Sequence, residues 1–396
     1  MADLDALLEE AKELLPELVA LRRAIHAEPE LGLELPKTRA KLLERLEALP
    51  LEIETHAKTS GVVATLRGAR PGRSILLRAD MDALPMPEDT DLPFKSKTPG
   101  AMHACGHDAH TAMLVGAARL LAARRADLRG SVVFMFQPGE EGHAGARCMI
   151  EEGLLEREPR PEAAFALHVA PEFRPGMIAT RGGTLLASAD VFEIVVRGKG
   201  GHASMPHLCR DPIPAACAIV TALQTFVTRA IAATDPAVIT VTKLRAGSAN
   251  NVIPETAVLT GTIRAHSEGA REKAHEGVHV VSEGVARAHG VDAQVSLVPG
   301  YPVTVNDGDF DGFVQGVARE LFGPRSVVEL PVPFMGAEDF SFVLQRVPGS
   351  MAVIGMRPPG HEPPAPCHSN RMKLDESGMA HGAALHAAIA IRSLGA

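Results

Sequence analysis

The stretch "SILLRADMDALP", residues 74–85, begins as an apolar run and ends on two aspartates, Asp80 and Asp82. A short continuous apolar run bounded by polar turn residues reads as a strand buried on both faces, as in sheets covered by helices on each side. The same form recurs in "GVVATL" at 61–66, "SVVFMF" at 131–136 and "AAFALHV" at 163–169. Helical periodicity marks an opening helix to about residue 26, a second over 36–48, and "DAHTAMLVGAARLLAA" at 108–123. Strands alternating with helices in this way predict an α/β domain built on a central, mostly parallel sheet.

Near residue 185 the pattern changes. "ADVFEIVVRG" is a strand, "DPIPAACAIVTALQTFVTRAI" a helix, "AVITVTKLRAG" and "TAVLTGTIRA" two strands, "EGAREKAHEGVHVVSEGVARAHG" a helix and "DAQVSLVPG" a strand. That order, βαββαβ, is the split unit of ferredoxin-like domains, four strands with two helices on one face. Beyond it the first style returns, with a helix near 308–322, the strand "SMAVIGM" at 350–356 and a last helix near 375–394. The reading is therefore an α/β domain made of residues 1–184 and 297–396, interrupted by an inserted α+β domain at 185–296.

Composition narrows the function. The chain has 396 residues, is 46% hydrophobic, carries a formal net charge of -8, and has no tryptophan and a single tyrosine, Tyr301. Two domains are expected at this length. The acidic balance and scarcity of aromatic rings argue against nucleic acid and anionic membranes as partners. No apolar run is expected to reach membrane-spanning length. The first 26 residues are acidic and amphipathic and lack the order of a signal peptide, so a soluble, cytoplasmic protein is expected. Five cysteines, with no C-x-x-C pair, imply free thiols rather than a disulfide framework. Cys148, Cys209, Cys217 and Cys367 read as small apolar side chains. Cys105 differs, because it lies between His103 and His107 in "MHACGHDAHTAM".

Polar residues gather just past the C-terminal ends of the α/β strands, where open α/β sheets form their sites. Asp80 and Asp82 follow one strand, Glu140 and Glu141 another, and His168 ends a third. A proline-rich loop after 350–356 carries His368, and Cys105 and His107 enter just before a helix. Cysteine, histidine, glutamate and aspartate converging there read as a metal site.

"LRADMDALP", "MHACGHDAHTAM", "QPGEEGHAGA", "GKGGHASMPH", "NNVIPETAVLTGTIRA", "GAEDFS" and "CHSN" follow one another from residue 77 to residue 370. In this order and spacing they resemble the metal-dependent aminoacylase/carboxypeptidase family, in its amidohydrolase branch of hippurate hydrolases, N-acyl-amino-acid amidohydrolases and plant auxin-conjugate hydrolases. The resemblance implies a two-domain fold with a ferredoxin-like dimerisation domain and a homodimer, or a tetramer. It assigns metal ligation to Cys105, His107, Glu141, His168 and His368. Five such donors suit two divalent ions that share a ligand, with zinc, manganese, nickel or cobalt all compatible. Glu140 is implied as the general base acting on a metal-activated water, and Asp82 as the acid that orients a ligand or the base. Asp80 either supports the same cluster or caps its loop. His202 would reach the partner subunit's site and stabilise the oxyanion, and Asn251 and Arg264 would contact substrate, the guanidinium pairing with a carboxylate. His103, His110, His143 and His207 read as neighbours of these motifs or as groups supporting the ligands, Glu338 and Asp339 as lining the cleft near His368, and His361 as exposed.

The implied reaction is hydrolysis of an N-aroyl or N-acetyl amino acid, a small-molecule substrate, to a carboxylate and a free amino acid. A dipeptidase, a carboxypeptidase or an N-acetyl-diaminopimelate-type deacetylase would fit the same scaffold. A thiol hydrolase pairing Cys105 with His107 leaves Glu140, Glu141, His168 and His368 without a role. A non-catalytic binding protein would have no need of Glu140. A zinc deaminase is excluded, since no H-x-E is followed by P-C-x-x-C.

Overall fold

An eight-stranded sheet organises the first of two units into which the computed structural model divides. The structure describes residues 4–360 and 362–395, so His361 lies outside the described residues. The first unit runs through Leu185 and includes Val305–Val332 and the chain from Asp339 onward; the second comprises Leu186–Thr304 and Pro333–Glu338.

Across the first sheet the strands are ordered Glu52–Thr55, Val62–Arg67, Arg129–Gln137, Arg70–Asp80, Ala163–Ala170, Gly349–Gly355, Ile178–Thr180 and Val327–Glu329. The four central strands, from Arg129–Gln137 to Gly349–Gly355, are mutually parallel. Val62–Arg67 joins one side antiparallel and Ile178–Thr180 the other, so the sheet is mixed, with parallel pairing at its centre. Parallel neighbours need a long crossover, which the helices supply at the centre. Residues such as Ile75, Leu77, Val132, Phe134, Phe136 and Phe165 are fully buried, as continuous apolar strands covered on both faces require.

Helices Leu4–His26, His107–Ala123 and Gly378–Ser393 pack together over this sheet and share one hydrophobic core. Their approach is close: a Cβ on Gly382 would stand 2.0 Å from Sδ of Met113. A buried ion pair ties the first helix to the second, with Nε of Arg22 2.7 Å from Oδ2 of Asp108. His26 adds a contact to the same oxygen at 2.7 Å. Asp108 directly follows His107, so the pair anchors the start of the helix that carries this candidate ligand.

The second unit has a four-stranded antiparallel sheet ordered Ala237–Ala246, Thr256–Ala265, Ala189–Arg197 and Asp292–Tyr301. Helices Pro212–Ala230 and Glu268–Ala288 pack against it and each other, giving the βαββαβ arrangement. Strict alternation along Ala189–Arg197 buries Phe192, Ile194 and Val196 on the helix-covered face. The helices begin on side-chain caps, Asp211 accepting from Ile213 N at 2.9 Å and Ser267 from Ala270 N at 3.0 Å. The unit continues to Thr304, past the expected limit at 296, because its last strand carries on through Pro299 with a register shift before Tyr301. Residues 333–338 join it through the amide of Ala187, which donates to the carbonyls of Phe334 and Gly336.

One expectation about apolar length needs correction. Pro212–Ala230 is long and apolar enough to cross a membrane, the one such helix among the described residues. Its Ala215, Ala216, Ile219 and Leu223 are packed into the core of the second unit, and Thr221, Thr225 and Thr228 return their hydroxyls to carbonyls four residues back.

Removing one member of a buried ion pair strands the other. Arg22→Ala should therefore cost about 3–5 kcal/mol in urea denaturation. Arg23→Ala, on the exposed guanidinium that shares Glu376, should cost at most about 1 kcal/mol. Equal losses would remove the special place given to the buried pair.

Candidate metal centre

The parallel strands Arg70–Asp80, Arg129–Gln137 and Ala163–Ala170 end at the same edge of the first sheet. Asp82, two residues past the first, accepts from the backbone amide of Glu140 through Oδ1 at 2.9 Å and from that of Glu141 through Oδ2 at 3.0 Å. One buried carboxylate thereby sets the turn that presents both glutamates. Its Oδ1 also lies 3.5 Å from Nδ1 of His107.

Gly106 explains how Cys105 and His107 face one site from adjacent sequence. It caps the helix His107–Ala123 with φ of +84°, and a Cβ there would meet Cγ2 of Val169 at 2.4 Å. Only glycine takes that conformation and that approach without displacing the strand end.

Val169 in turn sets two imidazoles. Its amide donates to Nε2 of His110 at 2.9 Å, which leaves the His110 proton on Nδ1, donated to Oδ1 of Asp80 at 2.5 Å. Its carbonyl accepts from Nδ1 of His168 at 2.7 Å, so Nε2 of His168 presents a lone pair, 3.3 Å from Sγ of Cys105. Asp80 is fully buried between His110 and Arg78, whose Nη1 donates to Oδ2 at 2.7 Å, and its Oδ2 lies 3.5 Å from Nε2 of His107. Asp80 thus supports the cluster rather than capping a loop.

Among the groups of donor atoms that lie within 4.8 Å of one another, two contain Cys105: Cys105, His107 and His168, and Cys105, Glu141 and His368. The sulfur of Cys105 is common to both. Nε2 of His368 lies 3.2 Å from Oε1 of Glu141. His368 is one of two described non-glycine residues at positive φ, +66°, a strained conformation of the kind that functional positions retain. Glu140 is buried and brings a carboxylate oxygen within 4.8 Å of His107 and Glu141. All five expected ligands and Glu140 therefore gather at one place.

The electrostatics ask for a cation. Burial pushes the His107 imidazole down, but the carboxylates of Asp80, Asp82 and Glu141 overcome it and raise its pKa to about 10. Both ring nitrogens of His107 are buried without a hydrogen-bond partner among the described residues. Contact with Cys367, burial, and the charges of Glu141 and Glu140 push the Cys105 thiol well above its usual range. A thiol nucleophile needs the opposite shift, which weighs against the thiol-hydrolase reading. Burial lowers His110 to about 4 despite Asp80, in keeping with its neutral tautomer. Unpaired imidazole nitrogens, a thiol and surplus carboxylate charge fit divalent cations bound by thiolate, imidazole and carboxylate.

Other expected residues lie in the second unit. The two-stranded ribbon Gly201–His202 with Val252–Ile253, extended by the Ala203 amide donating to the Asn251 carbonyl at 3.0 Å, brings His202 beside Asn251. Nδ1 of His202 accepts the Ser204 amide at 3.1 Å, so its proton sits on Nε2. Arg264 alternates with buried Ile263 and Ala265 on its strand and so faces away from the helices. Burial pushes its pKa down, although Asp190 opposes this.

Two residues, Asp339 and Arg78, matter more than their motifs suggested. His110 takes the supporting part that was one of its two expected readings, and its ring stacks on that of His107, three residues earlier on the same helix, at 5.4 Å. Asp339 brings a carboxylate oxygen within 4.8 Å of one of Glu140. It is fully buried, accepting from Nη2 of Arg78 at 3.1 Å, Nε2 of Gln137 at 2.7 Å and the Ala146 amide at 2.9 Å. Arg78, inside an apolar strand, carried no local signal. His103 is buried, pushed down to about 3 by that burial, and His207 is exposed.

The profile of Peptidase family M20/M25/M40 matches residues 76–392. IAA-amino acid hydrolase ILR1-like 4 of Arabidopsis thaliana is 39% identical over 381 residues, covering 95% of this chain and 86% of its own. N-acetylcysteine deacetylase of Bacillus subtilis is 41% identical over 339 residues, covering 85% and 88%. The crystal structure of the Bacillus subtilis YXEP protein, described as a dinuclear metal binding peptidase from the M20 family, superimposes with a TM-score of 0.84 at 36% identity over 97% of this chain and 99% of that one.

Loss of the His110 bridge should loosen the donors it holds. His110→Phe should weaken divalent-metal affinity about 10–100-fold in competition with a chromophoric chelator, at near-native circular dichroism. His110→Asn, whose amide nitrogen can still reach Asp80, should lose less. Wild-type affinity in His110→Phe would show that the bridge does not position the site.

Proposed function

The chain belongs to peptidase family M20/M25/M40, and from that premise we propose that it is a metal-dependent amidohydrolase cleaving N-acyl amino acids to a carboxylate and an amino acid. The observation that carries this reading is the pair of donor groups sharing Cys105, with Glu140 buried beside them. Cys105, His107 and His168 would hold one divalent ion, and Cys105, Glu141 and His368 the other. Bound there, the ions supply Lewis acidity, polarising the scissile carbonyl and acidifying water. Zinc, manganese, nickel and cobalt all suit one thiolate, three imidazoles and one carboxylate.

Glu140 takes the proton of the attacking water on its carboxylate and hands it to the departing amine nitrogen. Asp82, by holding the Glu140 and Glu141 amides, keeps proton carrier and ligand in a fixed relation. His202, its proton on Nε2, is a suitable donor to the oxyanion, and we assign it to the partner subunit's site in a homodimer. Arg264, which burial leaves poorly compensated, is the natural partner of the substrate carboxylate, with Asn251 as a second polar contact. A reducing compartment such as the cytoplasm would keep Cys105 available as a ligand.

Thorough chelation should abolish hydrolysis of N-acetyl- and N-benzoyl-amino acids and added divalent metal should restore it; activity surviving chelation would sink the proposal. Glu140→Gln should lower kcat about 10²–10⁴-fold with little change in bound metal or KM. Mixing inactive Glu140→Gln with inactive His202→Ala, with subunit exchange verified, should recover part of the activity; no recovery would remove His202 from the partner's site.

A further inference from the structure

Nothing in the chemistry above uses Cys367, which immediately precedes His368. Its side chain contacts that of Cys105. Independent contacts fix the same neighbourhood. Sγ of Cys367 lies 3.9 Å from the Val169 carbonyl oxygen, and Sγ of Cys105 lies 3.3 Å from Nε2 of the adjoining His168. The two segments are joined by the His368 amide, which donates to the Ala104 carbonyl at 2.7 Å. That hydrogen bond directly follows Cys367 on one segment and directly precedes Cys105 on the other. It keeps the two cysteine-bearing segments side by side, the arrangement a disulfide between them needs. Both thiols are free, Cys105 buried and Cys367 half-buried.

We propose that Cys105 and Cys367 are an oxidative modification site, joined by hydroperoxides into a disulfide that disarms the metal centre. The Cys367 sulfur, the more exposed, attacks the peroxide oxygen; the O–O bond breaks, the alcohol departs with the thiol proton, and a sulfenic acid remains. The Cys105 sulfur, a thiolate in the metal-loaded protein, then attacks that of Cys367, the S–O bond breaks, and hydroxide leaves and takes a proton from solvent. Two electrons pass from the thiols to the peroxide, and a dithiol reductant reverses the change. The consequence rests on the reading of Cys105 as the shared ligand: its sulfur is common to both donor groups, so one bond takes a donor from each. Oxidation of Cys148, Cys209 or Cys217 would remove none.

The test is titration of the metal-loaded protein with hydrogen peroxide, followed by thiol counting, non-reducing peptide mass spectrometry and measurement of released metal with a chromophoric chelator. Wild type should lose two thiols together, yield a Cys105–Cys367 peptide, release metal, and recover with dithiothreitol plus metal. Cys367→Ser and Cys367→Ala should keep basal activity and metal content and release metal at least about tenfold more slowly at the same dose. Absence of the cross-linked peptide at an inactivating dose, or equal release from the variants, overturns the proposal. A cross-link formed without metal loss instead overturns the assignment of Cys105 as a ligand.

Discussion

Surplus negative charge under the helix layer is the constraint around which the first unit is built. Asp80, Asp82, Glu140 and Glu141 gather at the ends of two adjacent strands, and Arg78 is the buried guanidinium set against them. Buried carboxylates are costly unless paired or hydrogen-bonded. The fold answers with Arg78 and the His110 proton for Asp80, and two backbone amides for Asp82. What remains uncompensated raises His107 and points to bound cations.

Precision at the centre comes from backbone as much as from side chains. Val169 ends a central parallel strand, and its two polar groups choose the tautomers of His110 and His168. Ladder hydrogen bonds hold that strand between two others, so the imidazoles inherit the rigidity of the sheet. Asp339 extends the support by joining Arg78, Gln137 and Ala146. In the second unit the Ser204 amide plays the same part for His202.

Much of this was legible in the chain itself. Apolar runs ending in polar residues located the central strands and the edge where the site would form, since a strand covered on both faces must be apolar throughout. The βαββαβ order located the second unit, and the five donors with Glu140 were named from their motifs. Other features were not legible. The antiparallel flanks of the large sheet depend on which strand reaches which edge. The unit boundary at Thr304 depends on how far Asp292–Tyr301 stays paired. Composition marks Pro212–Ala230 as a membrane-length helix, and only its packing shows Ala215, Ile219 and Leu223 inside a protein core.

The sequence by itself determined the elements, because burial periodicity is a local property, and its ordered motifs named the donor residues through a family resemblance. Tertiary structure alone decided that Cys105 is common to two donor groups, that Asp80 serves the cluster, that His110 bridges it, and that Cys367 lies against Cys105. Those facts arise where strands far apart in the chain come side by side, and no spacing along the chain encodes which lone pair or thiol then faces which neighbour.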